Sequence, residues 1–233
     1  MICGCAPIGR LWHPVHRIPS AVIVFGAGGH AVSVAETVLA SGHSIDCFID
    51  ETPNSQQLLG IPVLTAIPED FASDTGSIVI AVGDNAARQG VWTRLTQRYG
   101  LDCFPTLIHP SASVSQLAVL APGTVVLQGA IIGSKATIGL CCLLNSGSIL
   151  EHEAQLGDFA SLAPGSMTGG RVSIGTRTAV GIGAVIKHGV AIGHDSVIGA
   201  NSYVPKDLPS DVVAYGSPAR IIRPRAAGDS YLH

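Results

Sequence analysis

The stretch RVSIGTRTAVGIGAVIKHGVAIGHDSVIGA (residues 171–200) repeats an aliphatic residue with a period of six. The same period runs from Ile108 to Val204, and 16 of its 17 positions are Ile, Leu or Val, with Thr168 as the exception. An α-helix, with about 3.6 residues per turn, cannot keep this period on one face, and an alternating strand cannot run for about 100 residues. The period therefore predicts a β-solenoid in which each short strand points one aliphatic side chain inward.

Glycine often follows the inward aliphatic residue, as in Ile132-Gly133 and Ile174-Gly175. Glycine tolerates backbone angles that other residues avoid. We therefore expect these glycines to form the corners of the solenoid, where φ is awkward for a side chain.

The composition agrees with a core of aliphatic side chains. Charged residues make up 12 % of the chain, aromatic residues 5 %, and the mean hydropathy is +0.43. A net charge of −3 gives no electrostatic footprint for nucleic acid, and no apolar run is long enough for a membrane span. The six cysteines form no C-x-x-C pair, and residues 1–20 lack the pattern of a secretory signal. We expect reduced thiols and a cytoplasmic protein.

The segment VIVFGAGGHA (residues 22–31) fits the G-x-G-x-x-G/A turn that binds a phosphate at a helix N-terminus. Asp50, which lies 22 residues beyond Gly28, stands where a dinucleotide fold holds a ribose hydroxyl. The segment before the repeat has room for about one mononucleotide-binding half, so we predict one nucleotide rather than NAD. The hydrophobic pattern predicts strands at 22–25, 45–49, 61–64, 77–82 and 101–104, and helices at 30–40 and 85–99.

Six motifs together resemble one family from about residue 21 to residue 222. They are the glycine loop with His30, Ile49-Asp50-Glu51, the Gly83-Asp84-Asn85 turn followed by Arg88, Leu107-Ile108-His109-Pro110-Ser111-Ala112, the run Glu151-His152-Glu153, and the terminal Gly216-Ser217-Pro218-Ala219-Arg220 segment. The chain resembles the bacterial sugar acyltransferases that include sialic acid O-acetyltransferases and UDP-4-amino-sugar N-acetyltransferases. The resemblance implies an α/β plus all-β protein, in which a small Rossmann-like domain precedes a left-handed parallel β-helix of hexapeptide repeats. The expected divisions are an irregular leader (1–20), a nucleotide-sugar-binding domain (21–105), the β-helix (106–209), and a C-terminal cap ending in a loose tail (210–233).

His152 is the candidate general base, because a carboxylate bonded to one imidazole nitrogen fixes the tautomer and raises basicity at the other. The resemblance adds Glu153 and Asn145 to the catalytic segment. Strict alternation along a strand would point Glu153 away from His152, so this pairing requires a corner of the coil.

The resemblance also implies two sets of ligand-binding residues. For the nucleotide-linked sugar they are Gly28, Gly29, His30, Asp50, Glu51, Gly83, Asp84, Asn85 and Arg88. For acetyl-CoA they are Ser161, which replaces a common family histidine, together with Gly170, Ile182 and Ala200. Lys206 and Arg220 are further candidates for acetyl-CoA binding, because basic side chains suit the CoA phosphates.

The histidines do not predict a metal site. His152 and His188 are 36 residues apart, a spacing also found in γ-class carbonic anhydrases. The third ligand in those enzymes comes five residues later, where this chain has Gly193, and a displaced ligand breaks tetrahedral zinc geometry.

The function predicted is acetyl-CoA-dependent N-acetylation of a nucleotide-linked amino sugar of the UDP-4-amino-4,6-dideoxy type. His152 would serve as general base in direct transfer, and the family implies a homotrimer. Three alternatives stay open at this point: O-acetylation of a sugar such as sialic acid, a non-catalytic nucleotide-sugar-binding protein, and a dehydrogenase.

Overall fold

The computed structural model describes residues 21–72 and 76–231. Within these residues an α/β unit precedes a parallel β-solenoid, so the predicted fold class is confirmed. The predicted leader, residues 1–20, lies outside the described residues, as do Cys3 and Cys5.

The α/β unit is built on a sheet of five strands in the order β3-β4-β2-β1-β5, in which only β3 and β4 pair antiparallel. Its strands are β1 (Ala21–Phe25), β2 (Ser44–Ile49), β3 (Gln57–Leu58), β4 (Ile61–Leu64) and β5 (Ser77–Ile80), and its helices are α1 (Gly29–Ala40) and α2 (Asn85–Tyr99). Alternate residues of β1 point to opposite faces, so Val24 packs with α1 and Ile23 packs with α2.

The predicted strand at 101–104 is wrong, because this segment is a turn. Phe104 N donates to Leu101 O at 3.1 Å, which closes the turn. Cys103 O accepts one hydrogen bond from Ile78 N at 2.8 Å, and the buried Cys103 and Phe104 side chains complete the core over α2. The apolar pattern at 101–104 therefore reflects side chains that are buried in the core, and these side chains belong to a turn instead of a strand.

The solenoid contains 17 strands of two residues each, and every strand pairs in parallel with at least one strand 18 residues before or after it in the chain. Three strands make one coil, and the coils stack into three parallel faces. The strands are β6 (Leu107–Ile108), β7 (Ser113–Val114), β8 (Val119–Leu120), β9 (Val125–Val126), β10 (Ile131–Ile132), β11 (Thr137–Ile138), β12 (Leu143–Leu144), β13 (Ile149–Leu150), β14 (Gln155–Leu156), β15 (Ser161–Leu162), β16 (Met167–Thr168), β17 (Ser173–Ile174), β18 (Ala179–Val180), β19 (Val185–Ile186), β20 (Ala191–Ile192), β21 (Val197–Ile198) and β22 (Tyr203–Val204).

The second residue of most of these strands is buried in one aliphatic core, as the period of six predicts. The first coil differs: Ile108 is exposed, and Val114 and Leu120 are only partly buried. Among residues 21–72 and 76–231, no earlier coil covers this end. Leu107 is buried instead, because it packs into the core of the α/β unit.

The glycines that follow the inward residues are needed for a different reason from the one predicted. Gly133 and Gly175 do not have positive φ; a Cβ on either would collide with the backbone of the next coil, which for Gly133 means a separation of 2.5 Å from His152 N. The corners with positive φ are occupied by other glycines and by residues with side chains, among them Glu153 at φ 57°.

Helix α2 is docked on one corner of the solenoid through three successive coils. Cys141, Phe159 and Arg177 are spaced by 18 residues, and all three have positive φ, at 49°, 58° and 57°. Their carbonyls accept hydrogen bonds from Arg88 Nε (2.8 Å), Arg88 NH2 (2.7 Å) and Asn85 Nδ2 (3.1 Å), respectively. This docking fixes the start of α2 against the coils.

The last coil continues into β23 (Val212–Gly216), which pairs parallel with β21, and β24 (Ala219–Pro224) then returns antiparallel to β23. Ala214 and Ala219 close over the aliphatic core at this end. Among the residues described, no helix is both long and apolar enough to cross a bilayer.

Candidate active site

The corner required for the His152–Glu153 pair is present between β13 and β14. Glu153 adopts a left-handed conformation, and its N–H donates to Ser134 O at 2.8 Å, on the preceding coil. The turn brings Glu153 Oε2 to 3.3 Å from His152 Nδ1, with both side chains about half exposed. The carboxylate is thus placed to hold a proton on Nδ1, which leaves Nε2 free to accept another.

The other side of the imidazole lies over Gly170, one coil further along. A Cβ on Gly170 would collide with His152 Nε2 and Cε1. Arg171 N, the next amide, donates to His152 O at 2.9 Å. Gly170, which was predicted as a contact for acetyl-CoA, therefore lies against the His152 ring.

Asn145 lies at a different corner, between β12 and β13. Its Nδ2 donates to Leu162 O at 2.8 Å, and its side chain lines a cavity of about 530 Å³. The cavity separates the solenoid from the start of α1, and His152 is not among the residues that line it. The structure thus does not bring Asn145 and His152 to one site within a single chain.

Several predicted ligand-binding residues do converge on this cavity. Its solenoid wall is largely apolar, and its opposite wall is formed by the α/β unit. The predicted residues that line it are Asn145, Ser161, Ile182, Ala200, His30 and Gly83.

Tyr231 is a cavity residue that the sequence analysis missed, because residues 226–233 were predicted to be a loose tail. Its hydroxyl lies 3.5 Å from Ser161 Oγ and 3.4 Å from Gly83 O, so it connects the solenoid with the α/β unit. Burial raises the pKa of this phenol. No periodicity or motif surrounds Tyr231, so no sequence signal pointed to it.

The glycine loop leaves the N-terminus of α1 open. Gly28 is the N-cap residue, no side chain caps it, and both Gly28 and Gly29 are exposed with nothing within 4 Å of a Cβ position. The first amides of a helix without a side-chain cap are free to bind an anion.

His30, at the start of α1, presents a neutral imidazole to the cavity. Burial, and then the charge of Arg88, lower its pKa from 6.5 to about 4. Its Nε2 is shielded from solvent and has no hydrogen-bond partner among the described residues. Such a nitrogen is ready to bond a ligand that enters the cavity.

Asp50 and Glu51 are already engaged with the protein. The Asp50 carboxylate accepts hydrogen bonds from Ala27 N at 3.2 Å and from Thr52 N at 3.0 Å, and so holds the glycine loop against the end of β2. Glu51 forms an exposed ion pair with Arg94 at 2.9 Å.

Asp84, Asn85 and Arg88 build the start of α2. Asp84 Oδ1 caps the helix by accepting from Ala86 N and Ala87 N, at 3.0 Å each. Arg88 is fully buried, and its guanidinium donates hydrogen bonds to Cys141 O, Val82 O, Gly83 O, Asn85 Oδ1 and Phe159 O.

These five hydrogen bonds use all five N–H groups of the Arg88 guanidinium. Asn85 is also buried and bonded within the protein. The expectation that Arg88 and Asn85 contact a sugar nucleotide is therefore corrected: both side chains join α2 to the solenoid. The remaining two predicted residues, Lys206 and Arg220, are exposed and do not line the cavity.

Comparison with known families gives matches in both parts of the chain. Residues 21–95 match the PglD N-terminal domain, and residues 171–206 match the hexapeptide repeat of succinyl-transferase. UDP-N-acetylbacillosamine N-acetyltransferase of Bacillus subtilis (strain 168) is 44 % identical over 114 residues, which are 46 % of this chain and 50 % of that protein. The match thus spans about half the length of this curated relative.

Two solved structures resemble nearly the whole described chain. Perosamine N-acetyltransferase from Caulobacter crescentus, in complex with CoA and GDP-perosamine, has a TM-score of 0.80 and 34 % identity over 87 % of this chain and 97 % of that one. The acetyltransferase domain of PglB from Neisseria gonorrhoeae, in complex with acetyl coenzyme A, has a TM-score of 0.82 and 28 % identity over 88 % and 100 %.

Proposed function

The chain belongs to the family of bacterial sugar acyltransferases, and on this premise we propose that it transfers the acetyl group of acetyl-CoA to the amine of a nucleotide-linked amino sugar. The observation that carries the proposal is the pairing of His152 Nδ1 with Glu153 at a corner of the solenoid. The GDP-perosamine and acetyl coenzyme A complexes of its structural relatives support the two classes of substrate.

His152 acts as general base in this proposal. Glu153 holds the proton on Nδ1, and Nε2 takes the proton from the attacking amine as the amine adds to the acetyl thioester. The negative charge of Glu153 stabilises the imidazolium that results. As the carbon–sulfur bond of the thioester breaks, this imidazolium gives the proton to the CoA sulfur, so that CoA leaves as a thiol. The transfer is direct and needs no covalent intermediate on the protein. Acetyl-CoA supplies the activated acetyl group.

The cavity supports binding of the donor and of the nucleotide. The side chains of Ile182 and Ala200 give one wall an apolar surface that suits the pantetheine arm of CoA, and Ser161 adds a hydroxyl. On the opposite side, the open N-terminus of α1 suits a phosphate of the nucleotide, and His30 Nε2 offers it a hydrogen bond.

The separation of His152 from the cavity supports a homotrimer. His152 lies at the corner between β13 and β14, whereas Asn145 and the cavity lie at the corner between β12 and β13. A second copy that packs against this one can place its His152 corner at the cavity, and three copies complete three equal sites. Native mass spectrometry should then find three times the 23.8 kDa chain mass.

A reducing compartment is supported by the four cysteines within the described residues. Cys47, Cys103, Cys141 and Cys142 are all free and buried. Because acetyl-CoA and nucleotide sugars are cytoplasmic metabolites, the proposed reaction belongs in the cytoplasm.

The reaction is tested by supplying acetyl-CoA with a panel of UDP- and GDP-linked 4-amino sugars and with sialic acid, while free CoA is measured. We expect release with an amino sugar and none with the His152→Ala variant. His188→Ala is the matched control, because His188 is an exposed histidine at the same corner two coils away.

Three results contradict the proposal. Release with sialic acid alone identifies an O-acetyltransferase, and nucleotide binding without CoA binding identifies a non-catalytic protein. Full activity in His152→Ala removes the assigned base.

A further inference from the structure

Thr168 is the one residue in the 17 inward positions of the repeat that is not Ile, Leu or Val. It is buried, with 4 % exposure, and pairs in register with Ile186 of the next coil. The strand before it in the same face is β13, which leads directly into His152. The exception to the repeat therefore lies directly beside the candidate base.

The Thr168 hydroxyl replaces a regular backbone hydrogen bond of the solenoid. At the equivalent corners of this face, the amide after the inward residue donates to a backbone carbonyl 17 positions along the chain. Gly133 N donates in this way to Leu150 O at 2.8 Å, and Gly169 N to Ile186 O at 2.8 Å. Glu151 N instead donates to Thr168 Oγ1, at 3.1 Å.

Because the Thr168 hydroxyl takes the place of a backbone carbonyl as acceptor, it sets the position of Glu151, the residue before His152. From Glu151 the connection continues at once to His152, because Glu151 Oε2 accepts from His152 N at 3.0 Å. Two residues after Thr168, Gly170 forms the surface against which the imidazole lies. The segment 168–170 thus holds the main chain before His152 and supports its ring.

We propose that Thr168 is a positioning residue for His152, and this rests on the proposed function of His152 as base. Thr168 does not line the cavity, and its hydroxyl acts through its hydrogen bond with the Glu151 amide. The solenoid itself does not need the hydroxyl, since the other 16 inward positions are aliphatic. The hydroxyl positions the main chain at Glu151 and is not required for the stability of the coil.

The test compares Thr168→Val, which keeps the shape and removes the hydroxyl, with Thr168→Ser, which keeps the hydroxyl. We expect Thr168→Val to lower kcat by about 10- to 100-fold, the scale of a small misplacement of a reacting group. The KM values for both substrates should stay within about two-fold, because the cavity does not change, and Tm should not fall. Thr168→Ser should keep kcat within about two-fold.

Ile186→Val is the matched control, because it alters the neighbouring inward side chain, which is apolar and forms no hydrogen bond. Its kcat should equal that of the unmodified protein. The proposal is overturned by normal kcat in Thr168→Val, by equal loss in Thr168→Ser, or by a marked fall of Tm in Thr168→Val.

A second measurement separates this proposal from the function of the enzyme. The Hε1 resonance of His152, observed by NMR without substrates, should shift in Thr168→Val and stay in place in Thr168→Ser. If the unmodified protein acetylates no substrate, the proposed function fails, while the NMR result still tests whether Thr168 positions His152. An unchanged resonance in Thr168→Val overturns the positioning role.

Discussion

The imidazole of His152 lies directly over Gly170, so that a single methyl group at residue 170 would occupy the space of Nε2 and Cε1. His152 and Gly170 are 18 positions apart in the chain and occupy the same corner of neighbouring coils. The imidazole is therefore held by its sequence neighbour Glu153 on one side and by an adjacent coil on the other.

Gly170→Ala should displace the imidazole and lower kcat by about 100-fold, since a small shift of a catalytic group is enough for a loss of this size. Steady-state kinetics with the amino-sugar substrate measure it. Gly90→Ala is the control, because Gly90 is exposed in α2 with nothing within 4 Å of its Cβ position. That variant should keep full activity and raise Tm, because alanine favours a helix over glycine by about 1 kcal/mol. Equal kinetics for both variants would contradict the contact.

Glu153→Gln should lower kcat more than Glu151→Gln does. The glutamine oxygen at 153 can still accept from Nδ1, but it carries no charge to stabilise the imidazolium. At 151 the side-chain oxygen accepts from the His152 amide, a role that glutamine can keep. We expect losses of about 10- to 100-fold and about two-fold, respectively, on the scale of general base catalysis. The interpretation fails if the two variants lose the same activity.

The low pKa of His30 makes stability depend on pH. The folded pKa is about 4 and the ordinary value is 6.5, so the unfolded chain binds the proton first as the pH falls. The contribution of neutral His30 is complete above pH 6.5 and is lost progressively toward pH 4. The variant His30→Asn should show a shallower fall of Tm over this range, whereas the exposed-site variant His188→Asn should follow the unmodified protein. Parallel curves for all three proteins would exclude a buried, neutral His30.

Arg88→Met should destabilise the protein by about 3 kcal/mol or more, because it leaves several buried acceptors without donors. The control is Arg94→Met, which removes an exposed ion pair with Glu51 and should cost less than about 1 kcal/mol. Urea unfolding measures both values. A small loss for Arg88→Met would show that the α/β unit does not depend on this docking.

The sequence was most informative in the solenoid, where aliphatic residues repeat because each inward position packs into the same core. The period of six identified the coils, because every inward position meets the same aliphatic core. The run Glu151-His152-Glu153 pointed to the His152–Glu153 pair, although only the structure shows the corner at Glu153 that makes the pairing possible.

Residues that act between distant parts of the chain were not predictable in the same way. Arg88 belongs to a family motif, yet its role depends on carbonyls 53 and 71 residues away, which no local pattern encodes. Tyr231 reaches Gly83 across 148 residues of sequence. The exception at Thr168 was visible in the repeat, but its meaning required the hydrogen bond to Glu151.

The buried hydrogen bonds of Arg88 fix a distance that affects which substrate the proposed reaction accepts. Its acceptors Gly83, Cys141 and Phe159 come from the turn before α2 and from two coils, so the guanidinium holds the α/β unit at a fixed distance from the solenoid. Under the proposed reaction, a substrate anchored by its phosphates presents to His152 the amine that lies at the matching distance along the sugar. This fixed distance would select which ring position is acetylated, before any side chain recognises the acceptor group itself.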